Sequence, residues 1–261
     1  MSIAEDDERS RKPALSTIVR NWWEQQSRSY QELCHIPIDI HYGPGSPNEA
    51  HLQLLGPLAG KHVIELGCGG AQCAIAFAKQ GAIVIGVDIA AAQLACAKQL
   101  AEQNEVEIEF YQRDMTDLAP IPANSQDIAF SAHAFGYVDD LLSCFKEVRR
   151  VLKDDGLFVW SIGHPFYELA DPQTLQLQRS YFDTGTVIEE QQTGSPFAEV
   201  HRTLSQLVDV IVEGGFVVEE IIEPDSRRHY TYDPWYGLWG LYLPKLLEKV
   251  PATIIFKCHK S

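Results

Sequence analysis

Chemistry in this 261-residue chain concentrates where an apolar run meets a carboxylate and then glycines, Val63-Ile64-Glu65-Leu66-Gly67-Cys68-Gly69-Gly70. Gly67, Gly69 and Gly70 let the backbone turn sharply and approach a ligand with no Cβ in the way. A helical stripe follows at Ala71, Ala74, Ile75 and Ala78, running to Gln80. Its free N–H groups and positive dipole end point back at the loop, where a negative group is stabilised. Asp88 stands roughly 20 residues beyond the glycines, where a carboxylate can accept hydrogen bonds from both hydroxyls of a ribose. Asp114, followed by Met115, stands at the end of the next strand pattern. An adenine between the two could donate its amino group to Asp114 and pack on Ile89 or Met115. Each acid has a plainer reading: Asp88 as a helix cap, Asp114 as a strand terminator, Glu65 as half of an ion pair. Their joint placement around one glycine loop favours a nucleoside cofactor.

The elements that must hold these residues alternate. The pattern predicts strands over His62 to Leu66, Ile83 to Val87, Glu107 to Tyr111, Asp127 to Ser131 and Leu157 to Ile162, with helices Ala71 to Gln80, Ala91 to Gln103 and Leu141 to Leu152 between them. Branched residues on both faces of the first strand suit a sheet covered on both sides. The fold class is therefore α/β, a doubly wound, mostly parallel sheet. Asp139 and Asp140 are candidate helix caps, and Lys153-Asp154-Asp155-Gly156 is a turn. Thr203 to Glu213 reads as a helix broken at Gly214-Gly215, with strands at Phe216 to Ile222 and Thr253 to Lys257. Residues 1–13 read as a mobile polar tail, 14–60 as an N-terminal cap with a helix from Leu15 to Cys34, and 61–261 as the main domain with insertions at about 166–200 and 224–251. The helix and the Tyr42-Gly43-Pro44-Gly45 loop could both close over the strand tips. Tyr230, Tyr232, Trp235, Tyr236, Trp239 and Tyr242 crowd the second insertion, as a lid over an apolar ligand or as packing at the sheet edge.

A net charge of −15 argues against a nucleic-acid partner, because such binding depends on neutralising phosphates. The six cysteines form no C-x-x-C pair and read as reduced thiols of a cytoplasmic protein. No segment has the apolar core of a signal peptide or the length to enter a bilayer. A dinucleotide cofactor is opposed by Gln72, which stands where G-x-G-x-x-G needs glycine, and by Glu65, whose charge would repel a pyrophosphate but attract an amino group.

Glu65-x-Gly67-x-Gly69, Asp88, Asp114-Met115 and the strand-helix order resemble the class I S-adenosylmethionine-dependent methyltransferases, in the small-molecule branch near the quinone-type C-methyltransferases. The likeness is strong from about Lys61 to Pro165 and weaker from Thr203 to Lys257. It implies a seven-stranded sheet with S-adenosylmethionine bound at its strand ends: the glycine loop on the methionyl part, Asp88 on the ribose, Asp114 and Met115 on the adenine. Gln72, Ile89 and Ser131 are the further expected cofactor contacts. The chain departs from the family at Ala71, where a third glycine is common, and at Asp154-Asp155, where Pro-Gly is usual.

Such a sulfonium loses its charge in the transition state, so a carboxylate touching sulfur would stabilise the ground state more. Glu65 and Asp88 are therefore placed on the amino and ribose groups. An oxygen or acidic-carbon acceptor needs a base, and histidine suits that task. His133 and His164 follow the fourth and fifth strands and are the candidate catalytic residues, each with the alternative of a structural hydrogen bond. His201, Tyr137 and Tyr167 are weaker candidates. Ser131-Ala132-His133-Ala134 lacks the Asn/Asp-Pro-Pro-aromatic signature of nucleobase or glutamine methylation, and Asp139-Asp140 is read as a cap, with no metal assigned. The expected partner is a small molecule. A non-catalytic module binding the same cofactor as a sensor or assembly factor remains the alternative.

Overall fold

The computed structural model describes residues 14–191, 194–228, 234–235 and 242–261. Seven strands form one sheet: β1 (His62–Leu66), β2 (Ile83–Asp88), β3 (Glu109–Gln112), β4 (Gln126–Ala132), β5 (Leu152–Gly163), β8 (Phe216–Ile222) and β9 (Thr253–Lys260). Their order is β3-β2-β1-β4-β5-β9-β8, with β9 antiparallel to both neighbours and the other pairs parallel. Strand order reverses between β1 and β4, which leaves a crevice at their carboxyl ends.

Alternation along the strands builds two cores. Val63, Ile128, Phe130, Val159 and Ile255 pack with Phe77 and Ala74 of α3 (Gln72–Lys79) and Ala97 of α4 (Ala91–Gln103). Ile64, Leu66, Phe158, Trp160 and Phe256 pack on the other face with Phe145 of α5 (Leu141–Val151) and Leu207 of α6 (Leu204–Glu213). Asp140 accepts from the Ser143 amide at the start of α5, and Thr203 with Gln206 forms a capping box for α6, each satisfying amides that a helix start leaves free.

Three local expectations are corrected. The helix after the glycine loop begins at Gln72, because Ala71 is left-handed, φ 63°. An alanine thus occupies a left-handed conformation that glycine adopts more readily. Lys153 to Gly156 bends but stays within β5: the partner of β4 jumps from Leu152 to Leu157 while β4 advances only from Gln126 to Ile128, a bulge. Residues 166–200 also contain structure that their loose pattern hid. β6 (Gly185–Glu189) and β7 (Phe197–His201) pair as an antiparallel hairpin.

Ala198 and Val200 of that hairpin pack on Leu15, Ile18 and Val19 of α1 (Leu15–Cys34), so the hairpin supports the N-terminal helix. Short helices α2 (Glu49–Leu52) and α7 (Pro244–Leu247) and single 3-10 turns at Phe135–Tyr137 and Ser226–Arg228 complete the described elements. α1 is tied to the main domain by Glu24, whose carboxylate oxygens accept from the amides of Ala91 and Ala92 at 2.7 and 3.0 Å. A side chain of one helix thus caps the start of another, adding charge of the favourable sign to the α4 dipole. Glu24→Ala is expected to lower stability by about 1 kcal/mol in urea denaturation; an unchanged midpoint would mean the cap contributes nothing.

Candidate functional site

The carboxyl ends of β1, β2 and β4 open into a cavity of about 340 Å³. Glu65 is 4% exposed and lies on the face of β1 that α3 covers. One of its oxygens is in reach of the Ala74 amide, whereas Oε2 is buried with no hydrogen-bond partner. Burial, with a smaller contribution from the charge of Asp88, pushes its pKa up to about 8. An unmatched buried acceptor of this kind calls for a donor, preferably a cationic one.

The glycine loop is held by β2. The amides of Gly67 and Cys68 both donate to the Val87 carbonyl, at 2.8 and 3.0 Å. A Cβ on Gly67, whose φ is 68°, would lie 2.2 Å from the Ala134 Cβ. Asp88 fixes the next part, accepting from the amides of Gly69 and Ala90 at 2.9 Å each. Burial outweighs these bonds and pushes its pKa up to about 6. Asp114 accepts from the amide and hydroxyl of Thr116 through Oδ1. Glu65, Gly67, Gly69, Gln72, Asp88, Ile89, Asp114, Met115 and His133 all line the one cavity.

Ser131 and His164 do not line it. Ladder pairing of β1 with β4 stops at Glu65 and Phe130, and the Ser131 hydroxyl donates to the next β1 carbonyl, Leu66, at 2.9 Å. That is a structural tie between strands. His164 follows β5 on the side next to β9, its amide donating to Ala252, and its Nε2 lies 2.8 Å from Glu223 beyond β8. His201 is fully buried, with Nε2 donating to the Tyr181 carbonyl at 3.1 Å. Tyr137 lines the cavity, and Tyr167 is buried against Tyr242 with rings stacked at 5.8 Å.

Gln31, Gln93 and His41 line the cavity too, and nothing in local sequence singled them out. Gln72 donates to Gln31 of α1 at 2.6 Å, and Gln31 donates to Gln93 of α4 at 3.3 Å. This amide chain crosses the loop so closely that a Cβ on Gly70 would meet Gln31 Oε1 at 2.5 Å. Trp23, Tyr30 and Trp235 form an aromatic wall, Trp235 Nε1 donating to the Tyr30 hydroxyl at 2.9 Å. Of the crowded aromatics in the second insertion, Trp235 and Tyr242 reach the cavity; Tyr230, Tyr232, Tyr236 and Trp239 lie outside the described residues. His41 also lines it, edge-on to Trp235, with burial holding its pKa down to about 4. The density of aromatics in the second insertion was the sequence feature that pointed this way, through Trp235 and Tyr242.

An acidic crevice at the switch point of a doubly wound sheet, floored by glycines and a helix start, defines a nucleoside-binding α/β protein. The family model described as a methyltransferase domain matches residues 64–160. A Geobacillus sp. (strain WCH70) protein, named as a methyltransferase with no stated acceptor, is 30% identical over 197 residues, covering 65% of this chain and 79% of that one. The ubiquinone biosynthesis O-methyltransferase of Acinetobacter baylyi is 33% identical over 144 residues, 54% of this chain, and the match spans 57% of that enzyme. The crystal structure of an S-adenosylmethionine-dependent methyltransferase from Mesorhizobium loti superposes with a TM-score of 0.63 at 24% identity, covering 81% of this chain and 96% of that one. The chain belongs to the class I S-adenosylmethionine-dependent methyltransferases, and its cofactor is S-adenosylmethionine. Among the described residues no helix is long and apolar enough to cross a membrane.

Two outcomes follow from this geometry. An acid whose pKa rises on folding adds stability below its unfolded value and loses that contribution as pH rises through the folded value. Glu65, raised from 4.5 to about 8, should make the ligand-free protein less stable across that window. Glu65→Gln should flatten the loss in urea denaturation at several pH values, and an unaltered slope would remove Glu65 as its source. Gly67→Ala, which combines left-handed strain with overpacking, should cost about 2 to 4 kcal/mol, read from the same denaturation curves.

Proposed function

We propose that this chain transfers a methyl group from S-adenosylmethionine to an oxygen on a small, largely apolar acceptor. The observation that carries the reading is Glu65 Oε2, a buried and unpartnered acceptor beside the glycine loop and the start of α3. It suits the amino group of the cofactor's methionyl part. Asp88, already oriented by two amides, keeps lone pairs for ribose hydroxyls, and Asp114 with Ile89 and Met115 would hold the adenine. Gln72 and Gln31 close the loop from above.

When bound, S-adenosylmethionine supplies a methyl on a positively charged sulfur that keeps the bonding electron pair as the methyl leaves. The residues then have to align the acceptor and exclude water. Trp23, Tyr30, Tyr137 and Trp235 supply the apolar wall for an acceptor, and α1 covers the crevice. His133 stands at the same cavity as the group able to receive a proton. The likeness to the A. baylyi O-methyltransferase over about half the chain supports oxygen as the acceptor atom.

Calorimetry should show S-adenosylmethionine and S-adenosylhomocysteine binding with NAD silent, and Glu65→Gln should weaken the former about 10- to 100-fold, the worth of one charge-assisted bond. Transfer of labelled methyl from the donor into a metabolite extract, with mass spectrometry of what gains it, tests turnover and identifies the acceptor. Tight NAD binding, or a label that never leaves the donor, would overturn the proposal.

A further inference from the structure

His133 is fixed by groups far from it in the chain. Its amide donates to the Ser161 carbonyl at 3.0 Å, and its own φ is 56°, a left-handed conformation. The ring lies against Gly43, where a Cβ would sit 2.1 Å from Cδ2, so only a glycine permits this approach. Nε2 is 2.8 Å from Thr253 Oγ1, and that hydroxyl is 2.5 Å from the Pro44 carbonyl.

These two contacts settle the ring's hydrogens. A carbonyl can only accept, so the single hydroxyl hydrogen of Thr253 goes to Pro44. At the other contact Thr253 must then accept, and Nε2 must carry the hydrogen. A neutral imidazole has one lone pair on its ring nitrogens, which therefore lies on Nδ1. Burial, with the neighbouring His41 acting in the same direction, holds the pKa of His133 down to about 3 and keeps the ring neutral. Among the described residues nothing hydrogen-bonds to Nδ1, and the residue lines the cavity.

We propose that Thr253, anchored on Pro44, is a positioning residue that holds His133 in the Nε2–H form, so that Nδ1 receives the proton released by the methyl acceptor. The acceptor is then a group bearing an exchangeable hydrogen, a hydroxyl or enol, and not a thioether or tertiary amine. This rests on the reading of the cavity as a methyl-transfer site. In the step, an oxygen lone pair forms the new C–O bond, the C–S pair stays with sulfur, and the O–H pair remains on oxygen as its proton passes to Nδ1. The O–H turns strongly acidic as oxygen takes up the methyl's positive charge, so a weak base suffices. A buried imidazolium is disfavoured and passes its proton on to solvent, restoring the base.

The test is a two-bond 15N–1H correlation spectrum of histidine-labelled protein with S-adenosylhomocysteine at about pH 7, with His133 assigned by its loss in His133→Gln. The expected result is a protonated Nε2 and a bare Nδ1 in the wild type. Thr253→Val should bring in the other tautomer and slow label transfer into the extract about 10- to 100-fold, with S-adenosylhomocysteine affinity unchanged, and Thr253→Ser should restore both. A hydrogen on Nδ1 in the wild type, or a Thr253→Val protein with the wild-type spectrum and rate, would overturn the proposal. The wild-type spectrum decides the tautomer even where the valine variant does not fold. If the spectrum is as expected but the wild type moves no label, the methyl-transfer reading fails while the tautomer assignment stands.

Discussion

A carboxyl group with one oxygen satisfied and the other unmatched, buried at the end of the central strand, is the constraint around which this molecule is arranged. The surroundings of Glu65 contain a second acid, Asp88, rather than a base. Burying such a group alone is unfavourable. On the proposed reading, a cationic ligand group would remove that cost and convert local instability into binding energy. The same logic explains why Asp88 binds two amides without being neutralised by them. Both acids are held ready in geometry and strained in charge.

The surrounding architecture holds a helix over the crevice in which these acids lie. α1 lies over the crevice, joined to α4 through Glu24 and to the glycine loop through Gln31 and Gln72. The β6–β7 hairpin packs against it through Ala198 and Val200. A lone amphipathic helix would dock weakly, but these three attachments act on different parts of one rigid element. The cavity is thus lined both by aromatic side chains, Trp23, Tyr30, Tyr137 and Trp235, and by the acids Glu65, Asp88 and Asp114.

The placement of charge in such a site has a chemical constraint. Acids near the amino and ribose groups favour binding, whereas a negative charge beside the departing sulfur would favour the ground state. Two buried histidines, His41 and His133, also line the cavity, and burial holds both below the ordinary imidazole pKa and so neutral. The left-handed backbone at His133 and the glycine at position 43 place one of these rings in a single orientation, as pre-organised sites require.

Local pattern was enough for β1, α4 and β8, whose bounds, His62–Leu66, Ala91–Gln103 and Phe216–Ile222, coincide with those read from periodicity. It also sufficed to place Glu65, Asp88 and Asp114 at strand ends, since an acid closing an apolar strand before a turn is visible within a few residues. The family motif added the cofactor that these acids suit. Tertiary structure alone decided which histidine meets the cavity. His133 and His164 look alike in sequence, but the antiparallel β9 lies beside β5 and draws His164 away, while it brings Thr253 to His133 across 120 residues. Gln31 meets Gln93 across 62 residues, and Thr253 reaches Pro44 across 209. The β6–β7 hairpin escaped notice because β6 is largely solvent-facing and carries little of the apolar alternation that marks a half-buried strand. Short-range periodicity reports which face of an element is buried, whereas partners between elements depend on strand order, which no single segment encodes.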